Sequence, residues 1–216
     1  FEADRREHFQ LIADAATLHD RADADWLSCN GSDAATPDAI SQLQTSRRDY
    51  HSIAIRGLLE GTTDAHLKRT LFESWDYADP IAGVSLHLEP REDRRHAYQW
   101  HTPSGDPTRK SSGGMIGANR LALEAWPLFQ SLPTGDRMKT VGFRGIRVSD
   151  THLTWPMWVT AVPLNVIPTI LSHHGMQEEN CDREILVPLG VMTVYRSQRI
   201  LVGKTPNLTS ATAIVT

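Results

Sequence analysis

The chain has 216 residues, is 40% hydrophobic and 22% charged, and carries a formal net charge of −4. This is the composition of a globular protein long enough to bury a substantial core, and the net charge argues against indiscriminate coating of DNA. No apolar run reaches the roughly 18 residues of a membrane span, no signal peptide opens the chain, and two cysteines give no disulfide framework, so we expect a reduced, cytoplasmic setting. The first residue is Phe1, which predicts that the chain begins partway through a longer polypeptide.

The front of the chain is predicted to be helical and acidic. Apolar residues recur at helical spacing in residues 1–25 and again from Thr36 to Leu59. Gly61 should end the second helix, and Thr63 is placed to cap a short third one. Residues 1–80 carry a net charge of −7, whereas the remainder carries +3. We therefore expect a helical acidic region over residues 1–79, in which residues 1–72 contact protein more than nucleic acid.

Beyond residue 80, alternating apolar and polar residues predict short strands. Pro156 interrupts the strand predicted over His152–Trp158, so that strand is expected at an edge of the sheet. Pro168 would kink the helix predicted over Leu164–Leu171. The fold class is thus α+β: a helical N-terminal part followed by a small, mostly antiparallel sheet with one or two packed helices, in an α+β domain over residues 80–216. The predicted strands are Val84–Leu88, Ala97–His101, Met138–Phe143, His152–Trp158, Val191–Tyr195 and Arg199–Val202, and the predicted helices are Ala118–Trp126 and Leu164–Leu171.

Motifs of the common enzyme classes are absent from the sequence. There is no G-x-S-x-G, H-E-x-x-H or C-x-x-C pattern. Gly203, Lys204 and Thr205 resemble the end of a phosphate-binding loop, but Gln198 stands where that loop needs a glycine. The ten histidines, including the adjacent His173 and His174, lack a diagnostic metal-ligand spacing. We therefore expect a protein that is not an enzyme and has no catalytic residue, cofactor or metal.

A basic, glycine-rich segment runs from Arg109 to Arg120, directly before a predicted helix. Backbone N–H groups at a helix N-terminus attract anions, and glycine lets a backbone approach a phosphate closely. The alternative is a plain loop followed by a capped helix, and the sequence favours neither. The tryptophans pose a similar choice between base stacking and core filling, and for most of them core filling is favoured.

Five segments carry a resemblance to a known family. They are Leu71–Tyr77, Asp93–Tyr98, Gly117–Phe129, Thr154–Trp158 and Tyr195–Lys204. Together they resemble the type I-G CRISPR family that is described as an extension of the helicase–nuclease. The resemblance runs over residues 46–208 and supplies no catalytic residue.

The resemblance implies a non-catalytic nucleic-acid-binding subunit of a crRNA-guided surveillance complex, similar to the large subunit of Cascade, in antiviral defence. In such complexes base pairing reads the target, while the large subunit contacts the PAM duplex and supports the R-loop. The implied partners are crRNA and target DNA, other effector subunits and the helicase–nuclease, without a membrane. Two alternatives stay open: a metal-dependent nuclease, and a protein-only scaffold of the same complex.

The expected nucleic-acid contacts combine mobile cations with amides that can read base edges. Arg can bind either phosphate or guanine, and Asn and Gln suit base edges. The alternative is structural: Asn119 and Arg120 would cap and brace their own helix, while Arg196 and Arg199 would pair with acidic neighbours. The expected set is Arg109, Lys110, Asn119, Arg120, Arg196, Gln198, Arg199 and Lys204.

Overall fold

The computed structural model describes residues 2–17, 20–29, 51–80, 86, 113–134, 137–145, 150–202 and 205–215. Helices come first, and an antiparallel sheet with short helices packed against it follows, which confirms the predicted α+β class. The helices are α1 Glu2–Ala15, α2 Ala22–Cys29, α3 His51–Gly61, α4 Asp64–Phe72, α5 Ile116–Ala125, α6 Ile167–Leu171, α7 His174–Gln177 and α8 Arg183–Leu186. The strands are β1 Ser131–Thr134, β2 Arg137–Thr140, β3 Phe143–Arg144, β4 His152–Trp158, β5 Val191–Val202, β6 Thr205–Leu208 and β7 Thr212–Val215. Within the described ranges, no helix has the length and apolarity needed to cross a membrane.

The helix predicted over residues 1–25 is divided into α1 and α2. Between them, Thr17 and Asp20 close a turn: the Thr17 N–H donates to the Asp20 carbonyl at 2.9 Å, and the Asp20 N–H donates to the Thr17 hydroxyl at 3.0 Å. A threonine hydroxyl that satisfies a backbone donor in this way offers the chain an alternative to helix continuation. The single helix was therefore a wrong prediction, because the apolar spacing does not report the turn.

The junction between α3 and α4 matches the prediction. Gly61 is the last residue of α3, and α4 begins directly after Thr63. The Thr63 N–H donates to Nδ1 of His66 at 3.1 Å, so a side chain in the first turn satisfies a donor that the helix leaves open. Helix α4 then packs against α5.

The sheet is built around β5, a single strand of 12 residues. Two short strands were predicted here, and that prediction was wrong. β5 pairs antiparallel with β4 on one side. Successive residues of β5 form backbone hydrogen bonds on opposite sides of the strand. The Arg199 N–H donates to the Thr151 carbonyl at 2.7 Å, whereas the Gln198 carbonyl accepts from the Thr209 N–H at 2.8 Å. β6 and β7, which both pair with β5, are thus two halves of one interrupted strand on the side away from β4.

β4 matches its predicted bounds, and Pro156 has the environment that proline requires. β3 pairs only with the first two residues of β4. The Thr154 N–H donates to the Gly142 carbonyl at 2.9 Å, and Pro156, two residues on, directs its ring nitrogen to the same side. No strand of the described chain pairs with β4 on that side of Pro156. The second half of β4 is therefore an edge, whereas its first half lies between β3 and β5.

Other predicted bounds are shifted. The strand predicted over Met138–Phe143 is divided between β2, which pairs with β1 in a separate hairpin, and β3, because Gly142 has a φ of +80° and turns the chain between them. Pro168 lies in the first turn of α6 after a 3₁₀ turn, so it starts this helix rather than kinking it. Of the two strands predicted within residues 84–101, only Leu86 is among the described residues.

Among the described residues, two hydrophobic clusters form the core, and Phe129 packs against both. The second cluster lies between the short helices and the sheet and contains Ile170, Leu171, Met176, Leu186, Val191 and Val194. In the first cluster, Cys29 and Leu58 from the helical front pack with residues of α5 and β3. The front helices and the sheet-containing part thus share a core across residue 80, and the two-domain division stays a prediction.

Candidate nucleic-acid interface

Five of the eight predicted contact residues lie within the described chain, on two elements. Asn119 and Arg120 lie on α5, and Arg196, Gln198 and Arg199 lie on β5. The remaining three, Arg109, Lys110 and Lys204, lie outside the described residues. The structure thus divides the predicted site into a helix part and a strand part, and these can be examined separately.

At the N-terminus of α5, the sequence was compatible with phosphate binding and with a plain loop followed by a capped helix. Here the Ile116 N–H donates at 2.9 Å to the carboxylate of Asp79, which is 4% exposed. The other oxygen of that carboxylate bonds to the guanidinium of Arg69. The anion held by this helix N-terminus is therefore the protein's own Asp79, which satisfies both the open N–H and the helix dipole.

The glycines next to this helix have packing roles. Asp79 and Gly114 exchange two backbone hydrogen bonds, of 3.0 and 2.7 Å. A Cβ on Gly113 would meet the Tyr77 carbonyl, and a Cβ on Gly117 would collide with the His66 carbonyl and the Thr70 hydroxyl of α4. Close approach of protein backbone to protein backbone explains both glycines without a phosphate.

The two predicted contacts on α5 are engaged within the protein. Asn119 is 2% exposed; its Oδ1 accepts from the Leu86 N–H at 3.0 Å, and its Nδ2 donates to the Met115 carbonyl at 3.1 Å. Arg120 donates through Nε to Glu124, one helical turn on, at 2.7 Å. The Asn119 amide thus serves the fold, and the Arg120 guanidinium forms an ion pair within its own helix.

Arg196 braces the segment after α7. Its Nε donates to the Thr154 hydroxyl at 3.1 Å, and its Nη1 donates to the Glu179 carbonyl at 3.0 Å. Nη2 bonds to the carbonyls of Glu178 and Met176. The partners are carbonyl oxygens at the end of a helix rather than the acidic side chains that the structural alternative expected.

Arg199 has a different environment from these residues. Its side chain is half-buried, and its Nε is inaccessible to solvent without a hydrogen-bond partner. Burial alone lowers the pKa of Arg199 from its ordinary value, which leaves the group charged at neutral pH. No carboxylate of the described chain forms an ion pair with its guanidinium. The side chain of Gln198, the preceding residue, lies on the opposite face of the sheet. Its backbone N–H donates to the Thr209 hydroxyl at 2.9 Å.

An aromatic pair lies on the same face of the sheet as Arg199. Trp155 and Tyr195 are directly opposite each other on β4 and β5, and their rings stack at 6.1 Å with an interplanar angle of 21°. Both side chains are partly buried, and Trp155 packs against the second cluster. Alternation along β5 puts Tyr195 and Arg199 on one face, about 13 Å apart at roughly 3.3 Å per residue. By contrast, Trp126 is buried, as predicted for most tryptophans.

No family model, no curated protein and no solved structure matches the chain. The resemblance to the type I-G CRISPR family therefore depends on the five sequence segments alone. Two of these contain the residues just described: Thr154–Trp158 contributes Trp155, and Tyr195–Lys204 contributes Tyr195 and Arg199.

Metal binding was the other chemistry weighed from the sequence. Over the ranges that the structure covers, no three His, Cys, Asp or Glu side chains group closely enough to hold an ion. His173 precedes α7, and its Nδ1 accepts from the Gly175 N–H at 3.2 Å. Its ring stacks on that of His174 at 4.6 Å, and the backbone of His173 itself is extended.

Sequence reasoning missed two features of this region. Asp79 was counted only as part of the acidic front, because it lies far along the chain from Ile116 and no local pattern connects the two. The pairing of Trp155 with Tyr195 depends on the register of β4 and β5, which the sequence of neither strand reveals.

Proposed function

We propose that the chain is a non-catalytic, nucleic-acid-binding subunit of a cytoplasmic, crRNA-guided surveillance complex of a type I CRISPR system. The observation that supports this most is the half-buried guanidinium of Arg199, which forms no ion pair with a carboxylate of the described residues. The family resemblance gives the kind of complex, and the proposal extends to contacts with target DNA or crRNA. We expect the isolated chain to lack nuclease and ATPase activity, because the phosphate-binding motif fails at Gln198.

A partly desolvated cation is unfavourable for folding, and the described residues offer Arg199 no carboxylate partner. Removing a charge from water without a compensating partner costs several kcal/mol in the limit of full burial, and less for a half-buried group. Arg196, three residues away on the same strand, shows what a structural arginine does here, because protein acceptors engage its Nε and both of its terminal nitrogens. An arginine without a carboxylate partner among the described residues is suited to an external anion such as a nucleic-acid phosphate, which would approach its terminal nitrogens because the Nε is inaccessible to solvent.

The neighbouring aromatic pair adds a second mode of contact. Bases stack on exposed aromatic rings whatever their identity, and stacking contributes about 1–3 kcal/mol per base. Trp155 and Tyr195 are partly exposed on the face that also carries Arg199, and Trp155 also packs against the second cluster. A phosphate at Arg199 and a base at Tyr195 would be about 13 Å apart, which single-stranded nucleic acid can span within a few nucleotides. The face therefore suits an unpaired strand better than a duplex.

The test replaces Arg199 with an uncharged side chain of similar reach. We expect Arg199→Met to weaken binding of a fluorescein-labelled single-stranded oligonucleotide at least about 10-fold, since a charge-assisted hydrogen bond is lost. The same change should preserve or raise the melting temperature, because an unpaired charge is removed. The control is Arg21→Met, which changes the net charge equally but removes an arginine that already pairs with Asp25 at 2.9 Å.

Fluorescence anisotropy and thermal unfolding of the three proteins distinguish the outcomes. Binding that Arg199→Met and Arg21→Met reduce equally would indicate only the effect of net charge. Unchanged binding together with a lower melting temperature for Arg199→Met would make Arg199 a structural residue and remove the basis of the proposal.

A protein-only scaffold of the same complex is the second candidate. It is favoured by one observation: Asn119, Arg120 and Arg196 all have partners within the protein. Ultraviolet crosslinking in the assembled complex separates the two functions. Crosslinks from Trp155 or Tyr195 to nucleic acid support the first, and crosslinks to protein alone support the second.

A further inference from the structure

A histidine occupies the capping position in the first turn of α4. His66 is the third residue of this helix, and its Nδ1 accepts a hydrogen bond of 3.1 Å from the Thr63 N–H. In the common form of this cap, a Glu or Gln at the third helical position bonds back to the same N–H. Neither of those side chains changes its charge near neutral pH, whereas histidine does.

The bond from Thr63 fixes where the neutral ring of His66 carries its proton. An imidazole nitrogen accepts a hydrogen bond only while it carries no proton. Because Nδ1 accepts from a backbone N–H, the proton of the neutral ring lies on Nε2. That nitrogen lies 3.8 Å from Oδ1 of Asp79, too far for a hydrogen bond but close enough for attraction between charges. The His66 side chain is 25% exposed, so a proton can reach the ring from solvent.

The charged groups around the ring are already engaged with each other or with solvent. Oδ1 of Asp79 bonds to the guanidinium of Arg69, and Asp76 lies 4.0 Å from the same guanidinium. On α5, which packs against α4, the charge of Arg120 pairs with Glu124. The other Asp, Glu, Lys and Arg residues of α3 and α4 are exposed; they are Arg56, Glu60, Asp64 and Lys68.

We propose that His66 is a pH-responsive cap of α4, which opens the start of this helix when the ring takes up a proton. The proton from solvent adds to Nδ1, the nitrogen that faces the Thr63 N–H. Two donors then meet, so the hydrogen bond from Thr63 is lost. The charged ring can be attracted only to Asp79 among its near neighbours, and there it competes with Arg69 for the same oxygen. The junction between Gly61 and α4 therefore loosens in mild acid.

The test follows the full chain by NMR between about pH 7.5 and about pH 5, the range in which histidine titrates. At the upper pH, the ¹⁵N spectrum of the His66 ring should show the proton on Nε2. As the ring becomes protonated, exchange of the Thr63 amide with water, relative to an unprotected amide at the same pH, should rise at least about 5-fold, because one hydrogen bond is lost. In His66→Gln the protection of this amide should stay constant, since glutamine accepts at the same position and does not titrate.

The matched control is His152→Gln. Nδ1 of His152 lies 2.9 Å from the Asp150 carbonyl, which can only accept, so this nitrogen donates and protonation preserves the contact. The control should therefore keep the acid response of Thr63 that the wild type shows. Circular dichroism checks the folding of both variants.

Three results would refute the proposal. They are a neutral His66 ring with its proton on Nδ1, a Thr63 amide whose protection is unchanged while the ring becomes protonated, and equal acid responses in wild type and His66→Gln. The first two are measured on the wild-type chain, so they decide the matter even if His66→Gln does not fold.

Discussion

The carboxylate of Asp79 accepts a hydrogen bond of 2.9 Å from the backbone N–H of Ile116, at the start of α5. The two residues are far apart in sequence, so this bond fixes the start of α5 against the segment that follows α4. Arg69 of α4 bonds to the same carboxylate. One buried acidic group thus holds two helices together at their crossing.

Replacing Asp79 should therefore be costly. We expect Asp79→Ala to lower the free energy of unfolding by about 3 kcal/mol, because it removes a helix cap and leaves Arg69 without its partner. The control is Asp76→Ala, since the side chain of Asp76 is 52% exposed and lies 4.0 Å from Arg69. Its cost should stay below about 1 kcal/mol. Urea unfolding of both variants measures the difference, and equal losses would contradict the assigned role of Asp79.

The stability of the fold should fall at alkaline pH because of Cys29. Burial raises the pKa of this thiol to about 12, while an unfolded chain ionises it near its ordinary value of about 8.5. Between these values the unfolded state loses a proton that the folded state keeps, so stability decreases as pH rises, by up to about 1.4 kcal/mol per unit. Comparison of wild type with Cys29→Ala between pH 8 and pH 10.5 isolates this contribution; parallel curves would contradict it.

Arg109 and Lys110, which lie outside the described residues, should respond to substitution differently from Asn119. We expect Arg109→Ala and Lys110→Ala each to reduce the salt dependence of nucleic-acid binding by about one unit of slope, if each side chain contacts one phosphate. Asn119→Ala should instead lower the free energy of unfolding by about 1–3 kcal/mol, because the buried N–H of Leu86 loses its acceptor. Binding titrations from 50 to 300 mM salt and urea unfolding check both outcomes. A change in base preference without loss of stability in Asn119→Ala would reverse the assignment.

Local patterns predicted the elements that local chemistry controls. The bounds of β4, the end of α3 at Gly61 and the cap at Thr63 all follow from side-chain alternation and from residues that start or stop helices. The fold class followed from the order of these patterns. By contrast, the length of β5 depends on β4, β6 and β7 pairing along it, which no window of β5 itself contains.

The candidate site was harder to predict than the fold. Residue type predicted Arg196 and Arg199 equally as nucleic-acid contacts. Only the positions of the surrounding hydrogen-bond acceptors distinguish the two residues. The carbonyls that engage Arg196 come from a segment nearly 20 residues away, and the lack of an acceptor at the Nε of Arg199 is a property of packing. The role of the glycine-rich stretch was ambiguous for the same reason. The anion at the start of α5 is the carboxylate of Asp79, which is distant in sequence.

The paired backbone hydrogen bonds between Asp79 and Gly114 have a consequence for how the chain can vary. They hold the two ends of residues 80–113 beside each other, independently of what lies between. The entropy of closing a chain segment grows slowly with its length, by about 0.6 kcal/mol for each doubling. An insertion between Asp79 and Gly114 that leaves Leu86 in the core should therefore cost little in closure entropy.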